Sequence, residues 1–116
     1  MEDELASKTR SFSLRVIKLV GALNRNQTSR TLGNQVLRSA TSIGAAYREA
    51  KHASSTKHFI SIMEIAQRES NESDYWLDLI GASGLLPEER LASLREECQA
   101  IHKMLTAAIL TAKRKR

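Results

Sequence analysis

Apolar side chains return every three or four residues through almost the whole of this 116-residue chain, a spacing that fits α-helix and little else. A helix turns about 100° per residue, so positions three and four apart stack into one stripe. Between Asp3 and Arg25 the stripe is Leu5, Phe12, Val16, Leu19, Val20 and Leu23. A second runs from Arg30 to Lys51 through Leu32, Val36, Ala40, Ile43, Tyr47 and Ala50. A third runs from Lys57 to Ile80 through Phe59, Ile62, Met63, Ala66, Ser70, Ser73, Leu77 and Ile80. After Pro87 a fourth alternates by three and four through Leu91, Leu94, Cys98, Ile101, Leu105, Ala108 and Ala112, which is a heptad seam.

The punctuation between stripes agrees. Asn24 to Ser29 is polar and reads as a turn, with Thr28 or Ser29 as the cap of the second helix. Ala53-Ser54-Ser55-Thr56 is a second break and cap cluster, and Gly81-Ala82-Ser83-Gly84 is a helix stop. Pro87 suits the first turn of a helix whose Glu88 and Glu89 complement its dipole. Connections this short set successive helices antiparallel. The expected fold is all-α: an antiparallel up-down four-helix bundle over residues 1–112, followed by a basic tail, 113–116, that frays beyond the last apolar side chain. Gly33 and Gly44 lower the helical propensity of the second segment, so it depends on packing. The small residues Ala66, Ser70 and Ser73 let a neighbour approach the third closely.

Aromatic residues are 4% of the chain, so the core is aliphatic. A single cysteine, Cys98, rules out an internal disulfide. The acidic start Met1-Glu2-Asp3-Glu4 is unlike a signal peptide, and no apolar run approaches a membrane span. A cytoplasmic address without membrane attachment is therefore expected.

The net charge of +5 is uneven: residues 1–56 hold 9 Lys/Arg against 4 Asp/Glu, residues 57–112 hold 5 against 9, and 113–116 are all basic. Such asymmetry points to an acidic partner or to association of unlike faces. On the second helix Arg30, Arg38, Arg48 and His52 fall opposite the apolar stripe, with Glu49 at the flank; on the first, Lys18 and Arg25 do so, with Arg10 near them. With the tail residues Lys113, Arg114, Lys115 and Arg116, these form a candidate surface for phosphates. Taken alone, such a face is also what a solvated helix presents, and no interleaved aromatic is there to stack a base. On the third helix Ile65, Trp76 and Leu79 lie to one side of the core stripe, either the broad edge of the core or a contact between subunits.

Catalytic patterns are sparse. Glu49-Ala50-Lys51-His52 contains Glu-x-x-His, but a di-iron bundle needs a second copy and two further inward glutamates; no second copy exists, and His52 points away from the apolar stripe. The three histidines have no zinc-ligand spacing. No nucleophile elbow and no glycine-rich phosphate loop occurs. Arg48 and His52, at i and i+4, are the one pair able to bind and polarise a phosphodiester, which leaves an atypical ribonuclease as an alternative. No cofactor or metal is expected.

Two stretches carry a resemblance, QVLRSATSIGAAYREA at 35–50 and FISIMEIAQRESNESDYWLDLI at 59–80. With these the chain resembles, over nearly its full length, the bacterial 23S rRNA intervening-sequence protein family of four-helix bundles. It departs at Ala46, where the family commonly has Asn, and at Arg68-Glu69-Ser70, where a Lys-Glu-Ala-like run is common. The resemblance implies a bundle assembled into a homo-oligomeric ring, typically a pentamer. It favours the subunit-contact reading of Ile65, Trp76 and Leu79. It also implies a likeness to accessory proteins of diversity-generating retroelements, basic rings that bind nucleic acid and a reverse transcriptase. The expected function is non-enzymatic binding of nucleic acid, RNA above DNA, with little sequence preference. The alternative is an assembly or adaptor protein that meets an acidic protein partner.

Overall fold

The computed structural model describes residues 3–115 and contains four helices: α1 (Glu4–Gly21), α2 (Gln27–Ala50), α3 (Thr56–Ala82) and α4 (Glu88–Lys115). No strand occurs among the described residues. The particle is a rod of 47 × 23 × 22 Å. Each helix packs against two others, in the pairs α1–α2, α2–α3, α3–α4 and α1–α4. The backbones of α1 and α3, and of α2 and α4, stay apart, so α1 and α3 stand at opposite corners of the bundle. The α1–α4 seam is the slightest, which leaves α1 held mainly by α2.

The stripes point inward as their period requires. Phe12, Val16, Val36, Ala40, Ile43, Met63, Ala66, Leu77, Ile80, Cys98, Ile101 and Leu105 have no exposed surface. Each large side chain so buried stabilises the fold by about 1.5–3 kcal/mol. On α4 the seam ends differently from its expected course: Ile109 is buried, whereas Ala108 and Ala112 are only partly covered. Small residues set the spacing between helices. A Cβ on Gly44 would meet the Thr9 side chain at 3.3 Å, and the Ser73 hydroxyl of α3 donates to Ser39 of α2 at 2.8 Å in the sealed interior.

Several ends differ from the sequence reading. α1 stops at Gly21, short of Arg25, and the N–H groups of Ala22 and Leu23 close on the carbonyls of Leu19 and Val20. The cap of α2 is Asn26, whose side chain accepts from the Ser29 N–H at 2.9 Å; Thr28 and Ser29 are already inside the helix. Asn26 can do this because its backbone is extended and its oxygen reaches the third residue on. Ser55 caps α3 as its place in the break suggested. The stop after α3 turns through Gly84, at φ 81, a conformation that favours glycine. Pro87 lies just before α4 rather than in its first turn. Lys113, Arg114 and Lys115 continue α4, where cations suit the negative end of the dipole.

Partners across the seams follow a consistent register. Along α3 and α4, Gln67 bonds Thr106, Ser70 meets His102, Asp74 binds Arg95, and Gly81 lies against Glu88. Along α1 and α2, Asp3 meets Tyr47 and Lys51, Thr9 meets Gly44, Ser13 donates to the Ala40 carbonyl, and Val20 meets Gly33.

Candidate nucleic-acid interface

The outer faces of α1 and α2 meet along a groove of about 600 Å³. Its floor exists because Gly44 and Ala45 on α2 and Ala6 on α1 carry little or no side chain. Arg10 lines it from α1 and Arg48 from α2. Neither guanidinium has an ion-pair partner among the described residues, and no carboxylate lines the groove. At one end, Asp3 caps α1 by accepting from the Ala6 N–H, accepts from the Tyr47 hydroxyl at 2.9 Å, and pairs with Lys51 at 2.8 Å. The Lys51 hydrogen bond, helped by the Ala6 N–H, holds the Asp3 carboxyl down at about 2. Burial, with the Asp3 carboxylate beside it, pushes the Tyr47 hydroxyl up to about 12. This knot fixes the start of α1 on the end of α2, and with it the width of the groove.

The remaining expected site residues divide. Lys18, Arg25 and Arg30 are exposed and without ion pairs among the described residues, on α1, in the turn and in the first turn of α2. Arg38 is different. Its Nη1 donates to Glu69 at 2.8 Å and its Nη2 to Glu72, and these hydrogen bonds, the Glu69 one foremost, raise its pKa further. Arg38 therefore leaves the free basic face. Projecting α2 alone put it among open cations because the carboxylates come from the neighbouring helix. His52 lies two residues past the end of α2, in the turn that follows it, whereas Arg48 is inside the helix. Lys113 sits 3.6 Å from Glu64, an exposed pair of little energetic weight. Arg114 and Lys115 are exposed on the last turn of α4, and Arg116 falls outside the described residues.

On α3, Ile65 is 41% exposed, while Trp76 and Leu79 are partly covered. The Trp76 indole donates to Glu72 at 3.3 Å, which ties it to the Arg38 pair. Tyr75, beside it, is 55% exposed. A second apolar patch escaped the sequence reading: Leu14 and Ile17 on α1, each 49% exposed. The signal was available, since both are large apolar residues off the buried stripe of their helix.

The structure also joins Ser70 to His102 Nδ1, at 2.8 Å, a pairing no spacing had marked. The Ser70 hydroxyl donates to the Gln67 carbonyl at 2.7 Å and is 1% exposed. A hydroxyl so committed and sealed is a structural link between α3 and α4, not a nucleophile. Cys98 is likewise interior: its thiol donates to the Ser70 carbonyl, and burial pushes it up to about 12. Among the described residues no helix is long and apolar enough to cross a membrane.

Comparison with known proteins supplies context for this geometry. The family described as 23S rRNA-intervening sequence protein matches residues 2–107. A crystal structure of a protein of unknown function from the S23 ribosomal protein family of Bacteroides thetaiotaomicron is similar, with a TM-score of 0.86 and 35% identity. The similarity covers 90% of this chain and 97% of that one. No curated protein matches.

Proposed function

We propose that this chain, which belongs to the 23S rRNA-intervening sequence protein family, is a non-enzymatic, self-associating bundle that binds nucleic acid through its phosphates. The observation that carries the reading is the pair Arg10 and Arg48, two guanidinium groups without ion-pair partners among the described residues, on either side of a groove that no carboxylate lines. Arginine suits this task because its planar fork reaches two phosphate oxygens at once. Lys18, Arg25 and Arg30 extend the same electrostatic face beyond the groove. The family description names an rRNA intervening sequence, which favours RNA as the nucleic acid and the cytoplasm as the place.

In this reading the helices run up and down in antiparallel order. Support comes from the register: as partners on α3 rise from Gln67 to Asp74, those on α4 fall from Thr106 to Arg95. Self-association rests on exposed apolar side chains, Leu14 with Ile17 on α1 and Ile65 on α3. Those helices occupy opposite corners. Unlike patches facing away from each other join head to tail, and such contacts close into a ring when the rotation permits. The pentamer implied by the family resemblance is one such closure.

The experiment is fluorescence anisotropy with a labelled single-stranded RNA of mixed sequence, across a salt series. Arg10→Glu and Arg48→Glu each weaken binding on the order of tenfold and flatten its salt dependence. Equal affinity for both variants and the unaltered protein removes the groove from the reading. If no RNA binds at physiological salt while a ring persists, an acidic protein takes its place as the partner.

A further inference from the structure

Resting on the reading of the α1–α2 groove as the nucleic-acid site, we propose that it takes a whole unpaired nucleotide, so that the protein prefers single-stranded to double-stranded RNA.

The four seams of the bundle are not built alike. Arg15 of α1 pairs with Glu97 of α4, Arg38 of α2 with Glu69 and Glu72 of α3, and Arg95 of α4 with Asp74 and Asp78 of α3. Each of these seams is crossed by an arginine that the neighbouring helix answers with a carboxylate. The α1–α2 seam presents an arginine from each helix, Arg10 and Arg48, and no carboxylate lines the space between them. The ion pair that crosses it among the described residues, Asp3 with Lys51, lies at its end. The anion that complements this seam comes from outside the chain.

Size decides how much of a ligand enters. The groove holds about 600 Å³, within the range of whole small-molecule sites, about 300–1,000 Å³. A phosphate group is only a few times the share of one water, about 30 Å³, and leaves most of that space empty. What remains has an apolar floor at Ala6, Gly44 and Ala45, with Tyr47 in the wall. The helices already meet at Gly44 and Thr9, so the groove does not close by drawing them together. A nucleotide supplies both parts: a flat base with apolar faces for the floor, and a phosphate for the two guanidinium groups. A base inside a duplex is stacked on both sides and does not enter.

Base identity counts for little there. The hydroxyls of Thr9, Ser13 and Thr41 donate to carbonyls of their own helices, and that of Tyr47 donates to Asp3. None has a proton left for a base edge.

The test is an anisotropy competition on the full chain at equal ionic strength. It compares single-stranded RNA with a duplex of the same sequence, and adenosine monophosphate with ribose 5-phosphate. A face that meets only phosphates favours the duplex, whose charges are denser. A groove that takes a base reverses that order. The expected result is roughly tenfold tighter binding of the single strand, and a similar advantage of adenosine monophosphate over ribose 5-phosphate. Ala45→Leu fills the floor and leaves both arginines in place. Position 45 is exposed and leucine suits a helix, so the variant folds with an unchanged Tm. It is expected to erase both differences. Equal binding of the two RNA forms, a preference for the duplex, or an unaltered difference in Ala45→Leu overturns the nucleotide site. If Arg10→Glu and Arg48→Glu still weaken RNA binding in that event, the groove remains a phosphate site and only the nucleotide is lost. If neither form of RNA binds, the wider reading and the strand preference fall together.

Discussion

Arg38 of α2 donates to Glu69 of α3 at 2.8 Å, and the Glu69 side chain is only 9% exposed. The pair, extended to Glu72 and through it to Trp76, turns a residue of the basic face into a clasp between two helices. A carboxylate buried this far depends on its cation more than the half-exposed cation depends on it.

Replacing the cation therefore costs more than replacing both partners. Arg38→Met is expected to destabilise the fold by about 1–3 kcal/mol, because Glu69 is left charged and buried. The double variant Arg38→Met/Glu69→Gln recovers part of that loss. Urea denaturation of the four proteins closes the cycle. Additive effects, with no coupling between the two positions, show that the contact contributes nothing to stability.

Acid loosens α1 first. The Asp3 carboxyl lies at about 2 in the folded protein against an ordinary 3.8, so the folded state favours its charged form. The stabilisation it supplies is complete above about 4 and is lost as pH falls toward 2. Asp3→Asn keeps a capping side chain but loses the ion pair with Lys51, which is about one-third exposed and worth a few tenths to about 1 kcal/mol. Thermal melts of the two proteins should differ at pH 6 and converge at the acid end of this window. A constant difference across that range shows that the charge is not what holds the knot.

Cys98 reports opening of the α3–α4 seam. Its thiol has no exposed surface and is held at about 12 against an ordinary 9.0, chiefly by burial. A thiol reagent at pH 8 should leave the folded protein unmodified and label it at the rate of unfolding in denaturant. Because the unfolded state releases this proton near 9.0 and the folded state does not, stability declines as pH rises from about 9 toward 12, by up to about 1.4 kcal/mol per pH unit. Cys98→Ala removes that part of the alkaline slope. Rapid labelling of the folded protein contradicts a sealed seam.

Head-to-tail assembly makes a prediction that a symmetric contact does not. Ile17→Glu spoils the α1 patch and leaves α3 intact, and Ile65→Glu does the reverse. Each variant alone should be monomeric by light scattering. Mixed in equal amounts, they should form a 1:1 pair through the two intact faces and grow no further. If the mixture stays monomeric while the unaltered chain assembles, the α1-to-α3 contact is wrong.

Much of the fold was legible before any coordinates, and the reason is periodicity. The stripes from Leu5 to Leu19, Val36 to Ala50, Ile62 to Ile80 and Leu91 to Leu105 repeat at helical spacing, and burial follows from that alone. Caps were read less well. Thr28, Ser29 and Asn26 are all able to cap α2, and only the extended backbone at Asn26 chose between them. Arg10 and Arg48 were visible as outward cations, but the groove they share depends on how closely Gly44 lets α1 approach.

What the chain alone determined, then, is which residues turn inward along each rod, because a side chain's angular position on a helix depends only on its place in the sequence. What tertiary structure decided is which outward residues meet across rods. Arg38 and Glu69 are thirty-one positions apart, Asp3 and Lys51 forty-eight, and Ser39 and Ser73 thirty-four. No local period links them. Their pairing, and with it the division of the arginines into those that clasp a neighbouring helix and those that stand without an ion pair, arises only when helices dock side by side at a particular rotation and height.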